Sequence, residues 1–193
     1  IVANKHIQSN VQFENGTIEG LVYVKSGYSA SFKNVTFRAE NVGKPYSALE
    51  IDGGANDVML ENCKFLVKGG RPIQTGYNGN ANLTMIGCEF EDYDGNNKAE
   101  NSPYINPVVN GKIVIKDCNF TQTIICEFEG KSDNFEIEGN TFNKTFDFTC
   151  TRAYNTKEKA FHNNLLEKNT FNGEHKVVAW YKGQPQYNDS VLE

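Results

Sequence analysis

VMLENCKFLVKGG, residues 58–70, sets two short apolar alternations back to back and parts them with one asparagine. Val58 and Leu60 alternate with Met59 and Glu61; after Asn62 the alternation restarts, with Cys63 and Phe65 apolar and Lys64 between them. Side chains alternate faces along a strand, so a one-residue break in phase reads as two strands joined at a corner. Asparagine suits that corner because it tolerates the left-handed backbone region better than most residues.

The same phrase recurs along the chain. Aligned on their last apolar residue, FENGTI (13–18), FKNVTF (32–37), LENCKF (60–65), MIGCEF (85–90), IKDCNF (115–120), IEGNTF (137–142) and LEKNTF (166–171) make seven copies. They stand about 25 residues apart, a spacing typical of stacked repeats. A third apolar stretch accompanies each copy: LVYV (21–24), ALEI (48–51), PIQT (72–75), PVV (107–109), IICEF (124–128), FDFTC (146–150) and VVAWY (177–181). Turn clusters such as DGGAND, GYNGNAN and GKSDN separate them. Three strands per repeat and no helical periodicity predict an all-β chain, a single-stranded parallel β-helix of about seven coils. The LxxLxLxxN spacing of leucine-rich repeats is missing, and so are the in-register hexapeptides of a left-handed helix.

Stacked repeats bring equivalent side chains together. Cys63, Cys88 and Cys118 are expected in one internal file, and Ile18, Phe37, Phe65, Phe90, Phe120, Phe142 and Phe171 in the next, each step about 4.8 Å. Asn15, Asn34 and Asn62 are expected at the corner. Five cysteines without a CxxC, and with no histidine beside any of them, read as buried free thiols rather than a zinc site, with Cys126 and Cys150 in the third stretches. Trp180 is placed to cap the last coil, and AYNTKEKAF (153–161) reads as a short helical turn within the protrusion 151–164.

Composition narrows the partners. The formal net charge is −5, and the three arginines and 16 lysines are scattered, which argues against a nucleic-acid binder. No apolar run approaches the roughly 18 residues of a membrane span. The chain opens at Ile1 without a methionine or a leader, so residues 1–193 read as one domain excised from a longer protein with flanking domains.

With its short strands, asparagine corners and aromatic stack, the chain resembles the right-handed parallel β-helix proteins of the pectate-lyase-like superfamily over about residues 7–183. The resemblance implies a right-handed coil and a groove along one sheet face, but no single activity, since the fold hosts many. Alternation along the third stretch puts Glu50, Asp52, Gln74, Asn110, Glu127, Glu129, Asp147 and Thr149 on one solvent face. Tyr93, Tyr104 and Tyr154 lie in or near turns, where aromatic rings contact sugars. In the long connection 91–107, Asp92 and Asp94 are candidate Ca²⁺ ligands.

Family signatures argue against catalysis. After GGRPIQTG no second arginine completes an RxPxxR motif, and the paired-aspartate motifs of polygalacturonase-like enzymes are absent. Alginate-lyase-like relatives use a Lys and Arg pair across neighbouring coils, for which Lys131 and Arg152, about one repeat apart, are the nearest candidates here. Three readings follow. The first is a non-catalytic carbohydrate-binding or adhesive module of a secreted or cell-surface bacterial protein, with a polysaccharide or surface glycan as partner. The second is a calcium-assisted lyase of uronate-containing polysaccharides using Arg152 and Lys131, and the third is a spacer in an adhesin or phage fibre.

Overall fold

A computed structural model describes residues 2–40, 47–68, 70–76, 80–92, 104–105, 111–121, 124–128, 134–143, 146–150, 164–181 and 184–191. Their strands join into one continuous hydrogen-bonded sheet that curls around an apolar core. The described pairings are parallel, with one exception at the C-terminal end, giving a solenoid-like parallel β architecture.

The chain returns to three columns of strands. On the first face, Asp57–Glu61 pairs with Asn82–Ile86, which pairs with Ile113–Lys116 and then Phe135–Glu138. On the second, Lys64–Lys68 pairs with Glu89–Asp92, followed by Asn119–Phe120, Thr141–Phe142 and Thr170–Phe171. The third runs through Val2–Ile7, the end of Val11–Val24, Ser47–Ile51, Arg71–Thr75, Tyr104–Ile105, Ile124–Phe128, Phe146–Cys150 and His175–Tyr181. Gln184–Val191 closes this face antiparallel to His175–Tyr181, and Trp180 pairs with Pro185 beside the irregularity in that ladder.

The break in phase read at Asn62 is a real corner. Asn15, Asn34, Asn62 and Asp117 adopt φ of 51–55°, and Gly87 and Gly139 take the same position at 63° and 72°. Only glycine and short polar side chains hold this left-handed geometry cheaply, which explains the Asn/Gly/Asp alphabet of the repeat. Asn34 Nδ2 donates to Asn15 Oδ1 at 3.0 Å across one step of the file.

Beyond the corner the side chains point inward in the order expected. Phe37, Phe65, Phe90, Phe120, Phe142 and Phe171 stack nearly parallel, with successive centroids 4.7–5.2 Å apart. Ile18 pairs in register with Phe37 at the head of this file. Cys63, Cys88 and Cys118 are buried, free and consecutive. The Cys88 N–H donates to Cys118 Sγ at 3.4 Å, and contact with Cys118 together with burial pushes the Cys88 thiol up to about 12.

The slot then changes chemistry. Asn140 follows Cys118 and is equally buried, with its Oδ1 accepting from the Cys118 N–H at 2.8 Å and its Nδ2 donating to Ile115 O. Asn169 continues the file, its Oδ1 accepting from both nitrogens of Asn140. The side-chain amides take over backbone hydrogen-bonding groups that would otherwise be left unpaired in the interior.

One sequence expectation is corrected. The first half of LEKNTF was expected as a strand, yet residues 164–168 form a helical turn with Leu165 buried against the core. Leu165, Leu166, Glu167 and Lys168 are all good helix formers, and Asn169 Nδ2 ties the turn down by donating to Leu165 O at 2.8 Å. The helical turn expected over 153–161 lies outside the described residues.

Candidate functional site

On the third face, alternation decides which side chains leave the core. Val22, Val24, Leu49, Ile51 and Ile73 are buried, so the residues between them face solvent. Parallel register then aligns His6, Tyr23, Glu50 and Gln74 in a single row across four strands. The row continues through the backbone positions of Tyr104, Glu127 and Thr149. Neighbouring members are about 4.8 Å apart, the spacing of adjacent strands.

Its upper end is a connected polar cluster. Tyr23 Oη donates to Asp52 Oδ2 at 2.7 Å, Ser26 Oγ donates to Asp52 Oδ1 at 2.5 Å, and the Gly54 N–H donates to that same oxygen at 3.0 Å. Partial burial alone would raise the Asp52 carboxyl, but these three donors and the nearby Lys25 ammonium outweigh it and hold it below the ordinary range. Burial, then the hydrogen bond to Asp52, raise Tyr23 to about 12. Lys25 Nζ lies 4.5 Å from the centroid of the Tyr23 ring, and His6 meets that ring edge-on at 5.4 Å.

Glu50 sits in the middle of the row under different conditions. Burial, followed by repulsion from Asp52, raises its carboxyl above the usual carboxylate value, while Lys25 and His6 pull it down. Gln74 is fixed through its Oε1, which accepts from Ser47 Oγ at 3.4 Å. The row thus presents a carboxylate without a donor among the described residues and a carboxamide side by side, with the saturated Asp52 carboxylate just beyond the end of the Ser47–Ile51 strand.

Of the residues singled out from sequence, Glu50, Gln74, Tyr104 and Glu127 share this row, and Asp147 lies on the same face, in register with Ile125 and Lys176. Asp92 ends the second-face strand Glu89–Asp92, in register with Val67, and so belongs to another column. Asn110, Tyr93, Asp94, Tyr154, Lys131 and Arg152 lie outside the described residues. Among the described residues no three His, Cys, Asp or Glu side chains gather as a metal site. His6, Tyr23, Lys25 and Ser26 were not singled out from sequence. Tyr23 occupies the outward position of LVYV, and that alternation was the signal available for it.

No family model, curated protein or solved structure matches the chain. No helix among the described residues is long and apolar enough to cross a membrane.

Proposed function

We propose that the third face is the binding surface of a non-catalytic carbohydrate-binding or adhesive module, carried on a right-handed parallel β-helix of about seven coils like those of the pectate-lyase-like superfamily. One observation carries this reading: His6, Tyr23, Glu50 and Gln74 stand in register, with the positions of Tyr104 and Glu127 next in line. A linear polymer of hydroxylated rings needs such a site, with hydrogen-bonding groups at regular intervals and aromatic positions among them. The row is set on sheet strands, whose rigidity fixes the spacing of those groups. A secreted or cell-surface location agrees with a glycan partner.

Affinity electrophoresis through gels containing neutral, amino-sugar and uronate polysaccharides tests the reading. Retention on at least one polymer is expected, with Tyr23→Ala/Gln74→Ala weakening it about tenfold or more. Absence of retention on every polymer overturns the proposal. The same mixtures, followed at about 235 nm with and without calcium, report β-elimination. A rising trace would replace the binding module with a calcium-assisted lyase.

A further inference from the structure

The two carboxylates of the cluster differ in what they have left to offer. Asp52 already accepts three hydrogen bonds, from Tyr23, Ser26 and Gly54. Glu50 is half-buried and, among the described residues, has neither a hydrogen-bond donor nor an ion-pair partner. Its strand neighbours are Tyr23 on one side and Gln74 on the other. The Lys25 ammonium, which with His6 attracts Glu50 without pairing with it, is seated over the Tyr23 ring.

A half-buried carboxylate beside a second carboxylate carries two unfavourable contributions, lost hydration and like-charge repulsion. A ligand hydroxyl relieves only the first. A ligand ammonium relieves both, and its hydrogen bond to a carboxylate is about twice as strong as one between neutral groups. A uronate would bring a third negative charge to a chain whose formal net charge is already −5.

We infer that the glycan bound by this face contains amino sugars bearing free ammonium groups, one of which docks on Glu50 while Tyr23 and Gln74 contact the adjoining ring. The inference rests on the glycan-binding reading above and names its substrate class.

Isothermal titration of the full chain with a glucosamine hexamer, its fully N-acetylated counterpart and an oligogalacturonate tests it, at a pH that keeps the hexamer's amines protonated. The glucosamine hexamer is expected to bind about tenfold tighter than the acetylated one. Glu50→Gln, checked for native unfolding behaviour, should erase that preference, so that the two hexamers bind within about twofold of each other. A preference that survives Glu50→Gln overturns the inference. Equal or tighter binding of the acetylated hexamer or the oligogalacturonate, lost in Tyr23→Ala/Gln74→Ala, overturns the amino-sugar assignment while the glycan reading stands. If none of these ligands nor any polysaccharide of the gel panel binds, both fall.

Discussion

The phenylalanine file and the third-face row descend the same molecule, set by the same parallel register, yet they follow opposite rules. Inside, one slot is filled by the same letter at Phe37, Phe65, Phe90, Phe120, Phe142 and Phe171, because identical rings at strand spacing stack with little waste of volume. Outside, the row reads His6, Tyr23, Glu50 and Gln74, with no letter repeated. Packing asks each repeat for the same shape. A binding row asks each repeat for a different group, so in a solenoid the variable register position is where recognition is sought.

Breaking the inner file should therefore cost stability and spare recognition. Phe90 is fully buried between Phe65 and Phe120, each 4.7 Å away. Phe90→Ala should destabilise by about 3–5 kcal/mol in denaturant unfolding. In the remaining folded protein at low temperature, the glycan retention proposed for the outer row should be unchanged from that of the unsubstituted chain. A loss of less than about 1 kcal/mol would mean that the file does not hold the fold together.

The corner offers a smaller effect of the same kind. Gly87 adopts φ of 63°, and a Cβ there would stand 2.5 Å from Asn62 Oδ1 in the preceding repeat. Gly87→Ala adds both left-handed strain and that clash, so it should cost about 1–3 kcal/mol. Asn34→Gly in the same register column keeps the backbone geometry and loses only the bond to Asn15, so it should cost less. Equal losses in the two variants would show that conformation is not what selects the corner residues.

The inner half of this comparison was legible in the sequence, and the outer half only in part. Corner, cysteine file and phenylalanine file all announced themselves because packing repeats its letters, as LENCKF and MIGCEF do. The exchange of cysteine for Asn140 in the same slot carried no such mark, since its reason is the pairing of backbone groups at Cys118 and Ile115. Glu50 and Gln74 could be placed by alternation, but two of Asp52's donors, Tyr23 in a strand 29 residues away and Ser26 in the turn after it, 26 residues away, are brought close only by register. The strand expected over the first half of LEKNTF, residues 166–168, failed because the local run Leu-Leu-Glu-Lys prefers helix.

The smallest effect lies on the outer row. Tyr23→Phe keeps the ring against His6 and Lys25 and removes only the hydrogen bond to Asp52, a loss of about 1 kcal/mol at neutral pH. Its signature is in the pH dependence. The Tyr23 hydroxyl is raised to about 12 in the folded chain. Its contribution is thus complete below the ordinary tyrosine value near 10 and is lost as pH rises from there towards about 12. Asp52 is lowered, so its contribution is present above the ordinary aspartate value and is lost as pH falls through the lower folded one. Subtracting the stability–pH curve of Tyr23→Phe from that of the unsubstituted chain should leave a difference that fades on the alkaline side and shrinks on the acid side, where Asp52 has lost one of its donors. A difference that stays flat across both limbs would mean that the Tyr23–Asp52 contact does not order the upper end of the row. Glu50 and Gln74 would then have to be positioned by the strands alone.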